Sequence, residues 1–146
     1  MEIPIEDAAI LSGFERFFEV LRRITPREQM SLTAASTLRR LERYGPHRLC
    51  ELYAPEGVTQ PAMTQLVTRL EKEGLAARSS DPADGRAVVV SITEAGRAAV
   101  AHRRAGRAQA LSGLLQGLAP TEHAAIVAAL PALERLSDLI AEQPTT

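Results

Sequence analysis

Thr59, Gln60, Thr64, Gln65 and Thr68 fall within ten residues, and Arg69 follows directly. Glutamine carries a donor and an acceptor side by side and can pair bidentately with adenine. Threonine offers a hydroxyl to a base or phosphate and a methyl group to thymine. Such short polar side chains near the start of a helix suit the major groove of DNA, roughly 12 Å wide. Arg69, further along, suits a backbone phosphate. Downstream, the stretch DPADGR places Asp84 two residues before Arg86, and Arg78 lies shortly before it. An arginine at the tip of a β-ribbon can enter the minor groove, which is narrow and negative. The plainer alternatives are a polar surface helix and an ordinary turn. Threonine and glutamine in place of the commoner glutamate and lysine favour the groove. Asp81, Pro82 and Gly85 are read as turn residues only.

These side chains need elements to position them. The segment VTQPAMTQLVTRLEKEG predicts a helix capped by Thr59 and stopped by Gly74. Pro61 sits in its first turn, where a missing N–H costs nothing. Met63, Leu66, Val67 and Leu70 share one face, leaving Thr64, Gln65, Thr68 and Arg69 largely on the other. Upstream, LTAASTLRRLERYG predicts a helix with Thr33 as N-cap, Gly45 as stop, and Leu38 and Leu41 inward. Between the two, RLCELYAPEG predicts a short helix in which Pro55 costs a hydrogen bond. The runs LAARSS and AVVVSI flank the DPADGR turn, so residues 75–92 are expected to form a two-stranded hairpin. Thr93 then caps a long helix to about Leu118. A last helix, kinked at Pro131, carries Ile126, Leu130, Leu133, Leu136 and Ile140 as its apolar stripe. At the other end Ile10, Phe14, Phe17, Phe18 and Leu21 recur at helical spacing, and Pro26 closes that segment.

Three helices, a hairpin and two long helices make a mostly α chain with a small β-hairpin wing. This is the order of a winged helix-turn-helix with N- and C-terminal dimerisation helices. The expected layout is a single domain over 1–146, with a DNA-binding lobe at about 31–107 and dimerisation helices at about 1–30 and 108–146. The terminal stripes are wider than so small a body covers. Ile10, Phe14, Phe17 and Phe18, with Leu130, Leu133 and Leu136, are therefore expected to be buried across a homodimer.

The totals narrow the classes. At 146 residues the chain has room for one real core, and it has no apolar run long enough to span a membrane. The acidic start MEIPIEDAAIL lacks the basic region of a signal peptide, which points to the cytoplasm. Sixteen arginines against one lysine, Lys72, read as GC-rich coding and hence a bacterial chain. Net charge is −1, yet residues 22–107 hold fifteen basic against nine acidic side chains. A basic middle between acidic ends suits a molecule that turns one face to an anion. The single cysteine, Cys50, excludes an internal disulfide. It is read as a small buried spacer, with oxidant sensing by a thiol at a helix N-terminus as the alternative. His47, His102 and His123 have no partner at metal-ligand spacing, and no phosphate-binding or nucleophile motif occurs. Neither a metal, a cofactor nor enzymatic activity is expected.

From about Leu32 to Gly96 the chain resembles the multiple antibiotic resistance regulator (MarR) family of bacterial transcription factors. The likeness is densest in GVTQPAMTQLVTRLEKEGLAARSSDPADGRAVVVSITEAG, which contains a recognition helix, an EKEGL exit, a D-x-R wing tip and a TEAG helix start. The resemblance implies that Arg86 enters the minor groove and that Asp84 holds it in position. It also implies a homodimer on a pseudo-palindromic operator, most simply a repressor. A small aromatic or phenolic effector would bind between the DNA-binding lobe and the dimer helices. The chain departs from the family pattern at Tyr53, where a small residue usually follows the leucine, at Pro55, and at Cys50, where a serine or threonine cap is common. The other functional class left open is a small-molecule-binding or protein-interaction module that kept the fold with weak or no DNA binding.

Overall fold

The computed structural model describes residues 4–24 and 30–141. Pro26 and the Ile140 side chain lie outside the described residues. The chain divides into two compact units, Met1–Ala108 and Gln109–Thr146.

In the first unit, helix α1 (Ile5–Ile24) has no buried residue. Helix α2 (Leu32–Tyr44) starts at Ser31, whose hydroxyl oxygen accepts the Ala34 N–H at 3.1 Å. Thr33, the expected cap, instead lies inside the first turn. Both residues are cap formers, and the backbone is extended at Ser31, which gives it the role. Gly45, at φ +81°, ends α2 as expected, with its N–H on the Leu41 carbonyl. Strand β1 (His47–Arg48) and the one-turn helix α3 (Leu49–Leu52) follow. Pro55 does not interrupt α3, because the helix has already ended. Two turn hydrogen bonds, Gly57 N–H to Ala54 O and Val58 N–H to Tyr53 O, carry the chain past it.

Helix α4 (Gln60–Lys72) is capped by Thr59, whose hydroxyl oxygen accepts the Ala62 N–H. Its four expected core residues, Met63, Leu66, Val67 and Leu70, are all buried. Beyond Glu73, Gly74 turns the chain at φ +74°, and strands β2 (Ala76–Ser80) and β3 (Val88–Ile92) form the hairpin. The sheet has three strands, not two, in the order β1-β3-β2 and antiparallel throughout. A two-residue strand is too short to show alternation, so β1 left no pattern to read. Leu38, Leu41, Leu52, Met63, Val67, Leu70 and Val90 form the packed centre, with Val100 against it.

Helix α5 (Glu94–Leu115) begins at Thr93, as expected. It stops short of Leu118 because the Gly117 and Leu118 N–H groups turn to carbonyls three residues back. In the second unit, helix α6 (Pro120–Ala141) contains Pro131, and every residue from Pro120 to Leu139 is exposed. No described helix is long and apolar enough to cross a membrane.

Candidate nucleic-acid interface

The recognition face follows from the register of α4. With Met63, Leu66, Val67 and Leu70 turned into the core, Gln60, Gln65 and Arg69 are exposed, and Thr64 and Thr68 are half-buried at the flank. The two threonines donate their hydroxyl protons to carbonyls one turn back, Thr64 to Gln60 at 3.0 Å and Thr68 to Thr64 at 2.9 Å. Each hydroxyl hydrogen is thus committed to the helix; Thr64 keeps an oxygen acceptor and a methyl group for a partner, whereas the Thr68 oxygen already accepts a bond from Arg78. Thr59 is occupied with its cap bond. Among the described residues, the side chains of Gln60, Gln65 and Arg69 form no hydrogen bond or ion pair within the chain. Thr33, displaced from its expected capping role, lines a shallow groove together with Val58, Gln65 and Arg69. The first turn of α2 therefore borders the recognition face, a placement that sequence reasoning missed.

Arg78 points to α4. Val90 is buried, and Arg78 is its partner in the β2-β3 register, so both side chains share the core-facing side of the sheet. The Arg78 guanidinium donates to the Thr68 hydroxyl at 2.8 Å and the Thr64 carbonyl at 3.4 Å, and pairs with Glu71 at 3.3 Å. Arg78, expected as a wing contact to DNA, is exposed and also ties the wing's first strand to α4.

At the wing tip, Asp84 Oδ1 accepts the Arg86 backbone N–H at 3.1 Å. Among the described residues no ion pair joins Asp84 to the Arg86 guanidinium. Asp84 therefore fixes the backbone from which Arg86 projects, while the arginine side chain stays exposed. Asp81, read from the sequence as a turn residue only, does more. Its Oδ1 accepts the Ala83 N–H at 2.9 Å, and its Oδ2 receives Arg48 Nε at 2.7 Å and Nη2 at 2.6 Å. The Ala83 N–H and then the Arg48 guanidinium hold the Asp81 carboxyl below its ordinary range, and Asp81 pushes Arg48 up. Both partners stay charged at neutral pH. The link spans 33 residues of sequence, and no local pattern announces it.

Cys50 is exposed near the start of α3, not buried as a spacer. A second groove, on α2 and α5, is lined by Ser36, Arg39, Arg40, Arg43 and Arg104 with Glu42 and Glu56. Burial, and then the charges of Arg107, Arg103 and Arg104, lower the pKa of Arg39. Arginine is in excess there, a cluster that sequence reasoning did not single out.

Comparison with known proteins agrees with this geometry. The MarR family description matches residues 30–88. A helix-turn-helix-type transcriptional regulator of Mycobacterium bovis is 33% identical over 107 residues, 73% of this chain and 75% of that one. Among solved structures, Bordetella bronchiseptica BpsR, whose DNA binding is regulated by 6-hydroxynicotinic acid, is 26% identical. It superposes with a TM-score of 0.59, over 88% of this chain and 91% of that one. Apo MarR from E. coli shares the fold at a TM-score of 0.72 and 20% identity, over 91% and 98% of the two chains.

Proposed function

This chain belongs to the MarR family of DNA-binding transcription regulators, and from that premise we propose that it is a homodimeric repressor of a pseudo-palindromic operator. Gln60, Thr64 and Gln65 read bases in the major groove, Arg69 contacts the backbone, and Arg86 enters the flanking minor groove. The observation that carries this reading is the pairing of an exposed polar face on α4 with a wing tied to the same helix through Arg78. Pro55, a departure from the family pattern, lies outside α3 and does not distort the helix that precedes α4.

Two further parts rest on separate observations. The dimer rests on α1 and α6, whose apolar residues lie open to solvent in the single chain. Phe14, Phe17 and Phe18 are 42–59% exposed, and Leu130, Leu133 and Leu136 are 39–48% exposed. The effector is a small aromatic acid, because the arginine-lined groove on α2 and α5 suits a carboxylate. BpsR responds to a ligand of that chemistry. A gel-shift titration against the DNA upstream of the protein's own gene tests the central claim. Specific binding at a site with two-fold symmetry is expected. Equal affinity for that DNA and for random duplex would refute it.

A further inference from the structure

Arg48 holds the two edge strands of the sheet together at the base of the wing. In the register, Arg48 and Ser79 both lie level with Val89 of the central strand, so all three share one face. Asp81 lies two residues beyond Ser79. The Arg48 side chain crosses over β3 and grips the Asp81 carboxylate through two nitrogens, at 2.6 and 2.7 Å. Arg78 acts on the opposite, core-facing side of the same sheet. The wing is thus tied on both faces, by Arg78 to α4 and by Arg48 to the start of α3.

The Arg48 end of this tie is anchored. The Arg48 backbone N–H donates to Glu51 Oε2 at 3.0 Å, closing the first turn of α3. Helix α3 in turn packs against α4 through Leu52 in the core. The Asp81 end is equally fixed, because its second oxygen holds the Ala83 N–H and its own N–H donates to the Ala87 carbonyl. One side chain therefore joins the frame of the recognition helix to the loop from which Arg86 projects. The Asp81 side chain is 13% exposed and the Arg48 side chain 41% exposed, so the tie rests on its two-nitrogen geometry more than on shielding from solvent.

We propose that Arg48 is a positioning residue for DNA reading: through Asp81 it fixes the posture of the wing relative to α4 and so sets how strongly Arg86 reads the minor groove beside the operator. This rests on the DNA-binding reading above. A free hairpin would sample many postures and lose that freedom on binding, whereas a tied one arrives already ordered.

The experiment is a double-mutant cycle between Arg48→Ala and Arg86→Ala, read as operator affinity on duplexes with A·T or G·C pairs at the wing-contacted flank. Arg48→Ala should weaken operator binding about tenfold, a coupling of ordinary strength for connected residues. It should also reduce the preference for A·T in the flank, and it should cost almost nothing once Arg86 is already alanine. Arg48→Lys should restore part of the loss. A loss that persists undiminished in the Arg86→Ala background would make Arg48 a direct phosphate contact and overturn the proposal, as would an unchanged flank preference. Asp81→Asn, which keeps an acceptor for Ala83 but drops the charge, should reproduce the Arg48→Ala pattern, and serves if Arg48→Ala fails to fold. Should the parent protein bind no DNA, the functional reading fails by itself. The tie is then judged by amide hydrogen exchange at Ala87, which Arg48→Ala should accelerate and which would stay unchanged if the proposal were wrong.

Discussion

At the scale of single residues, the side chains proposed to touch DNA separate from those that hold them. Gln65 is exposed on α4 and forms no side-chain bond among the described residues, so its replacement should change recognition and leave the fold intact. Gln65→Ala should cost about 1–3 kcal/mol on the best operator and relax preference at one base position, measured by titration against single-base variants. Arg86→Ala should leave thermal stability unchanged, and the slope of affinity against salt should fall by about one charge. For Asp84 the bond to the Arg86 backbone N–H makes a sharper distinction. Asparagine preserves that acceptor and removes a negative charge near DNA, so Asp84→Asn should bind at least as tightly as the parent. Asp84→Ala should bind less tightly. Equal losses in both variants would mean that the carboxylate acts on the guanidinium after all. The lowered pKa of Asp81 sets a pH dependence with a definite sign. Its contribution to stability is complete above the ordinary value of 3.8 and fades as pH drops through the lower folded value. Asp81→Asn should accordingly flatten the acid side of a melting-temperature profile.

At the scale of elements, the junction between α4, the hairpin and α5 carries the geometry of the reading head. Thr93 donates its hydroxyl to the Gly74 carbonyl at 2.6 Å and accepts the Gly96 N–H at 3.1 Å. The residue that starts α5 therefore also fastens the exit of the recognition helix. Gly96 lets α5 lie against the backbone of the same exit: a Cβ there would overlap the Leu75 carbonyl oxygen and stand 2.7 Å from Ile92 Cγ1. Alanine normally stabilises a helix interior relative to glycine by roughly 0.5–1 kcal/mol. Here the collision with backbone outweighs that gain, and Gly96→Ala should destabilise by about 1–3 kcal/mol in chemical denaturation. A stabilised Gly96→Ala variant would show that α5 is free to shift away from Leu75.

At the scale of the whole molecule, the unsolved economy of α1 and α6 dominates. Two helices that expose phenylalanines and leucines at helical spacing are poor surfaces for an isolated chain, and a second copy is the simplest cover. Sedimentation at micromolar concentration should show a dimer without a folded monomer. Leu133→Glu should unfold the protein as well as separate it, because obligate dimers often lack a stable monomer. A well-folded monomeric Leu133→Glu, judged by helical circular dichroism and cooperative melting, would confine α6 to a dispensable role.

The recognition helix was legible in the residues because its signals are local. Thr59, Pro61, Gly74 and the stripe Met63, Leu66, Val67 and Leu70 all act within a few turns, and the structure agrees on each. The hairpin and the start of α5 at Thr93 were legible for the same reason. What tertiary structure decided lies where the choice depends on distant groups. Ser31 and Thr33 are both cap formers, and backbone conformation selects Ser31. Strand β1 exists only because His47 and Arg48 meet Val90 and Val89, some forty residues on. Arg78 read only as a cation for DNA, and folding adds Thr68 and Glu71 as its partners within the chain. Asp81 looked like a turn residue until Arg48 arrived from the far edge of the sheet. Sequence pattern reports what a residue does to its own backbone and face. Partners brought together by folding across tens of residues leave no period to read, and the bonds that aim the wing are of that kind.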